Sequence, residues 1–389
     1  MKPLFTAYFL VLNVAFILTL SEAVSVHQRP RRANQLEIVK QKSVETPFLL
    51  SGAMQKFNND LYQTLAKNQN GNLVISPFSI HTVMSMAMIG APVNSSTYKQ
   101  LSQALGITDP NAKATFLYNY RKTLDFYDNL VPDQLSIQTA YKVFINDGFQ
   151  VKDDYIKALK LFYNTGKNLL MNNLLQSKIL EKRTFVSDLE TVNFGNSAAT
   201  ANKINEFIND ATNGLIKEAV QPSSFDALTK MAMVNAIYFK GTWKSTFDKE
   251  KTKPMQFTKG PGDAFEYPHG MNIKTTFKNA VLDKNGAKTI VLELPYTDPK
   301  FVMYLILPPE DKDIDDFDIE SIDLKNVGTK LRPVFFQLTV PKFKIEYDEK
   351  LKEKLTDMGV SDIFSSSRGM IAHILFLSVF SILRLQLCM

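Results

Sequence analysis

Met231-Ala232-Met233-Val234-Asn235-Ala236-Ile237-Tyr238-Phe239-Lys240-Gly241-Thr242-Trp243 decides the fold, because from Met231 to Phe239 it is apolar except for one amide. A short apolar run of this kind reads as a buried strand. An amide inside it must be bonded, since a buried polar group left unpaired costs about 1–3 kcal/mol. Asn235 therefore needs partners, and a neighbouring strand's backbone is the plainest one. Trp243, taken alone, reads as core.

Downstream of this run the strand texture continues. Thr289 to Leu294, Phe301 to Leu307 and Phe335 to Ile345 are apolar or alternating stretches separated by Pro, Gly and Asp clusters. Gly260-Pro261-Gly262 is a turn. Asp348 to Met358 reads as a helix.

Upstream the texture is helical. Gly52 to Asn68 places Phe57, Leu61, Tyr62, Leu65 and Ala66 at helical spacing. Leu73-Val74-Ile75 is a short apolar run. Ser76-Pro77 then opens a helix over Phe78 to Ile89, with a hydroxyl suited to capping and a proline suited to the first turn. That helix is apolar nearly all round, which predicts burial, and it stops at Gly90. Residues 97 to 128 continue as helix, Leu135 to Ile145 alternates as a strand, and Val151 to Phe162 and Ala198 to Asp210 are helical. Helices first and strands second, without regular βαβ alternation or internal repeats, predict an α+β fold with largely antiparallel sheets.

The chain has 389 residues, 45% apolar and 22% charged, enough for a large core. Its start reads as a secretory signal over residues 1–23. Lys2 is basic, Leu4 to Leu20 is almost wholly apolar, and Ser21 and Ala23 are the small residues a signal peptidase requires, so cleavage between Ala23 and Val24 is expected. A membrane anchor is the alternative, less suited to this length and these flanks. Arg29-Pro30-Arg31-Arg32 is either a processing site, with the cut between Arg32 and Ala33, or an exposed basic tail. Cys388 is the one cysteine, so no internal disulfide holds the fold.

The formal charge is +6, with no concentrated basic stripe, and no nucleic-acid partner is expected. The four histidines, His27, His81, His269 and His373, show no metal-ligand spacing. Neither a nucleophile elbow, nor a phosphate loop, nor a dinucleotide fingerprint occurs, so the sequence predicts neither a cofactor nor an enzyme. Asn94-Ser95-Ser96 is an acceptor for an N-linked sugar, in the loop after the apolar helix.

Asn72 to Ile80 (Asn-Leu-Val-Ile-Ser-Pro-Phe-Ser-Ile), Val234 to Trp243, Glu293-Leu294-Pro295-Tyr296, Leu338-Thr339-Val340-Pro341-Lys342-Phe343 and Leu355 to Phe364 together resemble the serpin family, in the family's order. The resemblance covers about Phe48 to Ser367, leaving 24–47 as an amino-terminal extension. It implies a monomeric, secreted inhibitor of serine proteases that works by suicide. A protease cleaves an exposed loop, which then inserts as a new strand into the main sheet and releases stored strain. Carried over by this resemblance, Ser76, Ser79 and Asn235 match polar positions at the sheet's centre, where it opens. Trp243 matches the indole where the loop first enters.

The sequence departs from the family twice. About twenty residues, roughly Asn164 to Arg183, are extra. After Phe364-Ser365-Ser366-Ser367 the family continues with a strand, a glutamate- and alanine-rich hinge, the reactive loop and closing strands, whereas this sequence reads Arg368-Gly369-Met370-Ile371 and runs on as an apolar tail over 368–389. The histidine that the family places opposite Ser76 and Asn235 is missing, and His373 has neighbours unlike it. No reactive bond is found, so this chain is expected to be non-inhibitory. The alternative function is a serpin-like protein that binds a partner or a small apolar ligand.

Closing strands would bury about ten apolar side chains at ~1.5–3 kcal/mol each. Against a net stability of ~5–15 kcal/mol, their loss predicts a poorly folded chain unless Ile371 to Leu383 substitutes for a strand. Those residues are too short a stretch for a membrane span.

Overall fold

The computed structural model describes residues 51–67, 73, 75–107, 109, 112–128, 135–163, 188–284, 286–298, 301–309, 311, 322, 324–343, 351–364 and 374–378. The expected signal, the candidate processing site, the expected insertion over about 164–183 and most of the segment 368–389 lie outside them.

Four helices come first: α1 (Ser51–Ala66), α2 (Pro77–Gly90), α3 (Ser96–Ala104) and α4 (Lys113–Asp128). What the sequence presents as continuous helix over 97–128 is two helices. The break falls at Gly106, whose φ of 72° no longer suits a helix and whose position lies against Ala53. β1 (Leu135–Asn146), α5 (Asp153–Phe162), β2 (Asp188–Val192) and α6 (Ser197–Ala211) follow. The second half is mainly strand: β3 (Met231–Gly241), β4 (Lys253–Gly260), β5 (Asp263–Lys284), β6 (Ala287–Pro295), β7 (Val302–Leu307) and β8 (Arg332–Pro341). Two short helices, α7 (Leu324–Lys330) and α8 (Leu351–Asp357), and a last strand, β9 (Ile374–Ser378), complete it.

Two sheets form. One has the order β2-β1-β3-β9; in the other β4, β5, β6 and β7 are consecutive, and β8 also pairs with β5. The second sheet is antiparallel throughout. The first is mixed, with β1 antiparallel to β3 but β2 and β9 each parallel to its neighbour.

The first sheet is covered on both faces, as the two-residue period of its strands dictates. Tyr141, Val143 and Ile145 of β1 and Met231 and Met233 of β3 join the core built on α1, α2 and α4. The alternate residues Phe144, Ala232, Val234 and Ala236 pack on Ala201, Ile204 and Ile208 of α6. Val83, Met84, Met86, Ala87 and Met88 make α2 apolar all round, and it is buried as that composition predicts.

β9 is the finding that bears on the tail. Its Ile374 to Ser378 pair in register with Met231 to Asn235, so part of the 368–389 segment takes a strand position beside β3.

Candidate functional site

Ser76 and Ser79 open α2, and both are buried. Ser76 stands at the N-cap position, but its hydroxyl donates to Ser79 Oγ at 3.1 Å rather than capping the helix. The main chain does the capping, since Ser79 N–H and Ile80 N–H both donate to Ser76 O. The expectation of a side-chain cap is corrected in this respect: the Ser76 hydroxyl turns to Ser79 Oγ, and Ser79 N–H, which it could have capped, goes to Ser76 O.

Asn235 is 1% exposed. Alternation along β3 puts it on the face of Met231 and Met233, the face against which α2 packs. Its Nδ2 donates to Ala140 O of β1 at 3.2 Å, so the expected backbone partner is present. Its Oδ1 accepts no hydrogen bond. On the other side of β3, Ser378 of β9 is its register partner. Ser76 and Ser79 are thus bonded to each other on α2, and Asn235 to β1, on the facing sides of α2 and β3.

Trp243 lies elsewhere. Eight positions of extended chain from Asn235 amount to roughly 26 Å, and Trp243 belongs to the core of the second sheet, with Phe247, Met271 and Leu294. Its indole stacks on Tyr296 at 4.3 Å and 17°, and the two residues form a β-bridge. Its Nε1 and the Tyr296 hydroxyl are buried without partners. Gly241 makes the stack possible, because a Cβ there would stand 2.6 Å from the Tyr296 ring.

A further polar network was invisible at the level of sequence, because its members come from separate helices. Tyr120 of α4 meets Thr82 Oγ1 and, at 3.3 Å, His81 Nδ1. Tyr163 donates to Ser85 Oγ at 2.7 Å, and Tyr155 to Met86 O at 3.3 Å. Burial pushes His81 down to about 3, opposed only weakly by the Leu105 backbone; Nε2 makes no bond of ordinary geometry. Its ring stacks on Tyr120 and meets Phe57 edge-on at 5.1 Å. This is a neutral core histidine rather than an acid, base or ligand.

Among the described residues no three His, Cys, Asp or Glu side chains are placed to hold a metal. No described helix is long and apolar enough to cross a membrane. Asn94 is exposed, in the turn between α2 and α3. Ser95, next to it, caps α3 by accepting from Tyr98 N–H at 3.1 Å.

Comparison with known proteins gives the same family as the motifs. The family described as serpin (serine protease inhibitor) matches residues 52–178 and 177–380, two stretches that meet at 177–178. Serine protease inhibitor 42Dd of Drosophila melanogaster is 30% identical over 312 residues, covering 79% of this chain and 74% of its own. Human neuroserpin is 26% identical over 322 residues, 80% of this chain and 71% of its own. Among solved structures, cleaved Serpin 42Da is similar with a TM-score of 0.70 at 27% identity, covering 84% of this chain and 80% of its own. Emu ovalbumin gives 0.67 at 25%, covering 82% and 80%. The chain belongs to the serpin family, whose members similar to it are protease inhibitors rather than enzymes.

Proposed function

We propose that this chain is a secreted serpin that does not itself trap a protease. Its family's targets are serine proteases, and the trap needs a hinge able to enter the sheet. The reading rests on one observation: Ile374 to Ser378, in the apolar stretch that follows Phe364, pair with the edge of β3. A strand that adds to β3 would have to displace β9 first.

Within this reading Ser76, Ser79 and Asn235 mark where the sheet parts, supported by their burial and by the packing of α2 on β3. Trp243 marks the far end of β3, supported by its stack on Tyr296. Residues 1–23 direct secretion, and Asn94 carries a glycan, supported by its exposed turn.

The test is to express residues 24–389 in a secreting eukaryotic cell and mix the product with trypsin-like and chymotrypsin-like proteases. Simple degradation on a denaturing gel is expected. A band at the summed mass of inhibitor and protease would overturn the non-inhibitory reading. Loss of one glycan's mass in Asn94→Gln is the expected sign of the sugar site; an unchanged mass would remove it.

A further inference from the structure

Three elements meet at one carboxylate. Glu190 of β2 pairs through Oε2 with Lys142 of β1 and through Oε1 with Lys203 of α6. The Lys142 side chain is 19% exposed and that of Glu190 24%. The Lys142 ammonium also faces two aromatic rings, Phe144 at 5.4 Å and Phe207 at 5.1 Å, and these rings are themselves edge to face. Burial alone would raise the Glu190 carboxyl, but its bonds to the two lysines outweigh that and hold it below its ordinary value.

Beyond the carboxylate, β2 is held by its ladder to β1 and by two apolar side chains, Leu189 and Val192. It is five residues long and runs parallel to β1, the weaker kind of ladder. α6 covers it from one side, with its apolar stripe on Phe144 and β3. If the carboxylate is neutralised, Lys142 is left half-buried between rings without an anion, and Lys142 and Lys203 repel each other. Dissolved salt acts in the same direction, since the Lys203 arm is 46% exposed and open to screening.

We infer that Glu190 is a charge clasp that keeps β2 and α6 docked on β1 as one unit, so that ionic strength sets how often the unit lifts. Lifting uncovers Phe144 and Phe207 and opens the β1 edge, a local transition distinct from unfolding of the whole. Unlike the reading proposed above, it does not depend on how the β3 edge is used.

Hydrogen exchange followed by mass spectrometry on the secreted chain, at about 20 and about 300 mM sodium chloride, reads this directly. Amides of 188–211 in the unaltered protein are expected to exchange faster at the higher salt. In Glu190→Gln they should exchange roughly tenfold faster already at low salt, without further response to salt and without change in β5 to β8. Salt-independent exchange of 188–211 in the unaltered protein overturns the inference. So does a rise in Glu190→Gln spread equally over the second sheet, or exchange of β2 that changes while α6 does not. Should Glu190→Gln not fold, Lys203→Met leaves the Lys142 pair intact and should give a smaller rise in the same segment; exchange equal to that of the unaltered protein overturns the clasp.

Discussion

Replacing His81 by Phe should remove a pH dependence. The histidine is neutral in the fold and held near pKa 3 by burial, while the unfolded chain protonates it near 6.5. Its contribution is therefore fully present above about 6.5 and is lost as pH falls toward 3, at about 1.4 kcal/mol per unit. Denaturant unfolding at pH 7 and pH 5 should show a loss about 2 kcal/mol larger in the native protein than in His81→Phe. Equal losses would contradict this account. At the carboxyl end of β3, Gly241→Ala drives a methyl into the Tyr296 ring. Destabilisation of about 1–3 kcal/mol is expected, with a shift in tryptophan emission that reports Trp243 alone, since the chain has a single tryptophan.

At the scale of elements, Gln100 of α3 joins the helical layer to the turn after α8. Its Oε1 accepts from Ser361 N–H at 3.0 Å and Asp362 N–H at 2.9 Å. Gln100→Ala leaves both donors without that acceptor and should cost about 1–3 kcal/mol in urea unfolding; Gln100→Glu keeps the acceptor and should recover part of it. Such pairings explain what was legible beforehand and what was not. α1, α2, β1, α6, β3, β6 and β7 could be read because each carries its own apolar period or run. β5 was missed although Met271, Ile273 and Phe277 alternate with Lys274, Thr276 and Lys278, because threonines and lysines dilute the apolar signal of a strand with one wet face. β2 carries Asp188 and Glu190 in five residues and is a strand only because β1 lies beside it. The grouping of Ser76, Ser79 and Asn235 rests on family resemblance alone. Nothing in sequence places Tyr163 against Ser85, 78 positions away.

For the whole molecule, the expectation of poor folding turned on whether residues 371–383 could act as a strand; Ile374 to Ser378 do pair with β3, within the stretch to residue 380 that matches the serpin family. Deleting residues 371–389 should leave the β3 edge bare, lower the unfolding temperature and raise binding of an apolar dye. The undeleted chain should give one compact core on limited proteolysis, and its complete digestion would show that β9 does not hold. The register pair Met231 and Ile374 lies 143 positions apart, and at about 5–20 residues per second the ribosome needs roughly 7–29 s to cross that gap. Throughout that interval the nascent chain carries a finished β3 with no neighbour on one side, so its yield depends on chaperones that can shield a bare strand until translation reaches β9.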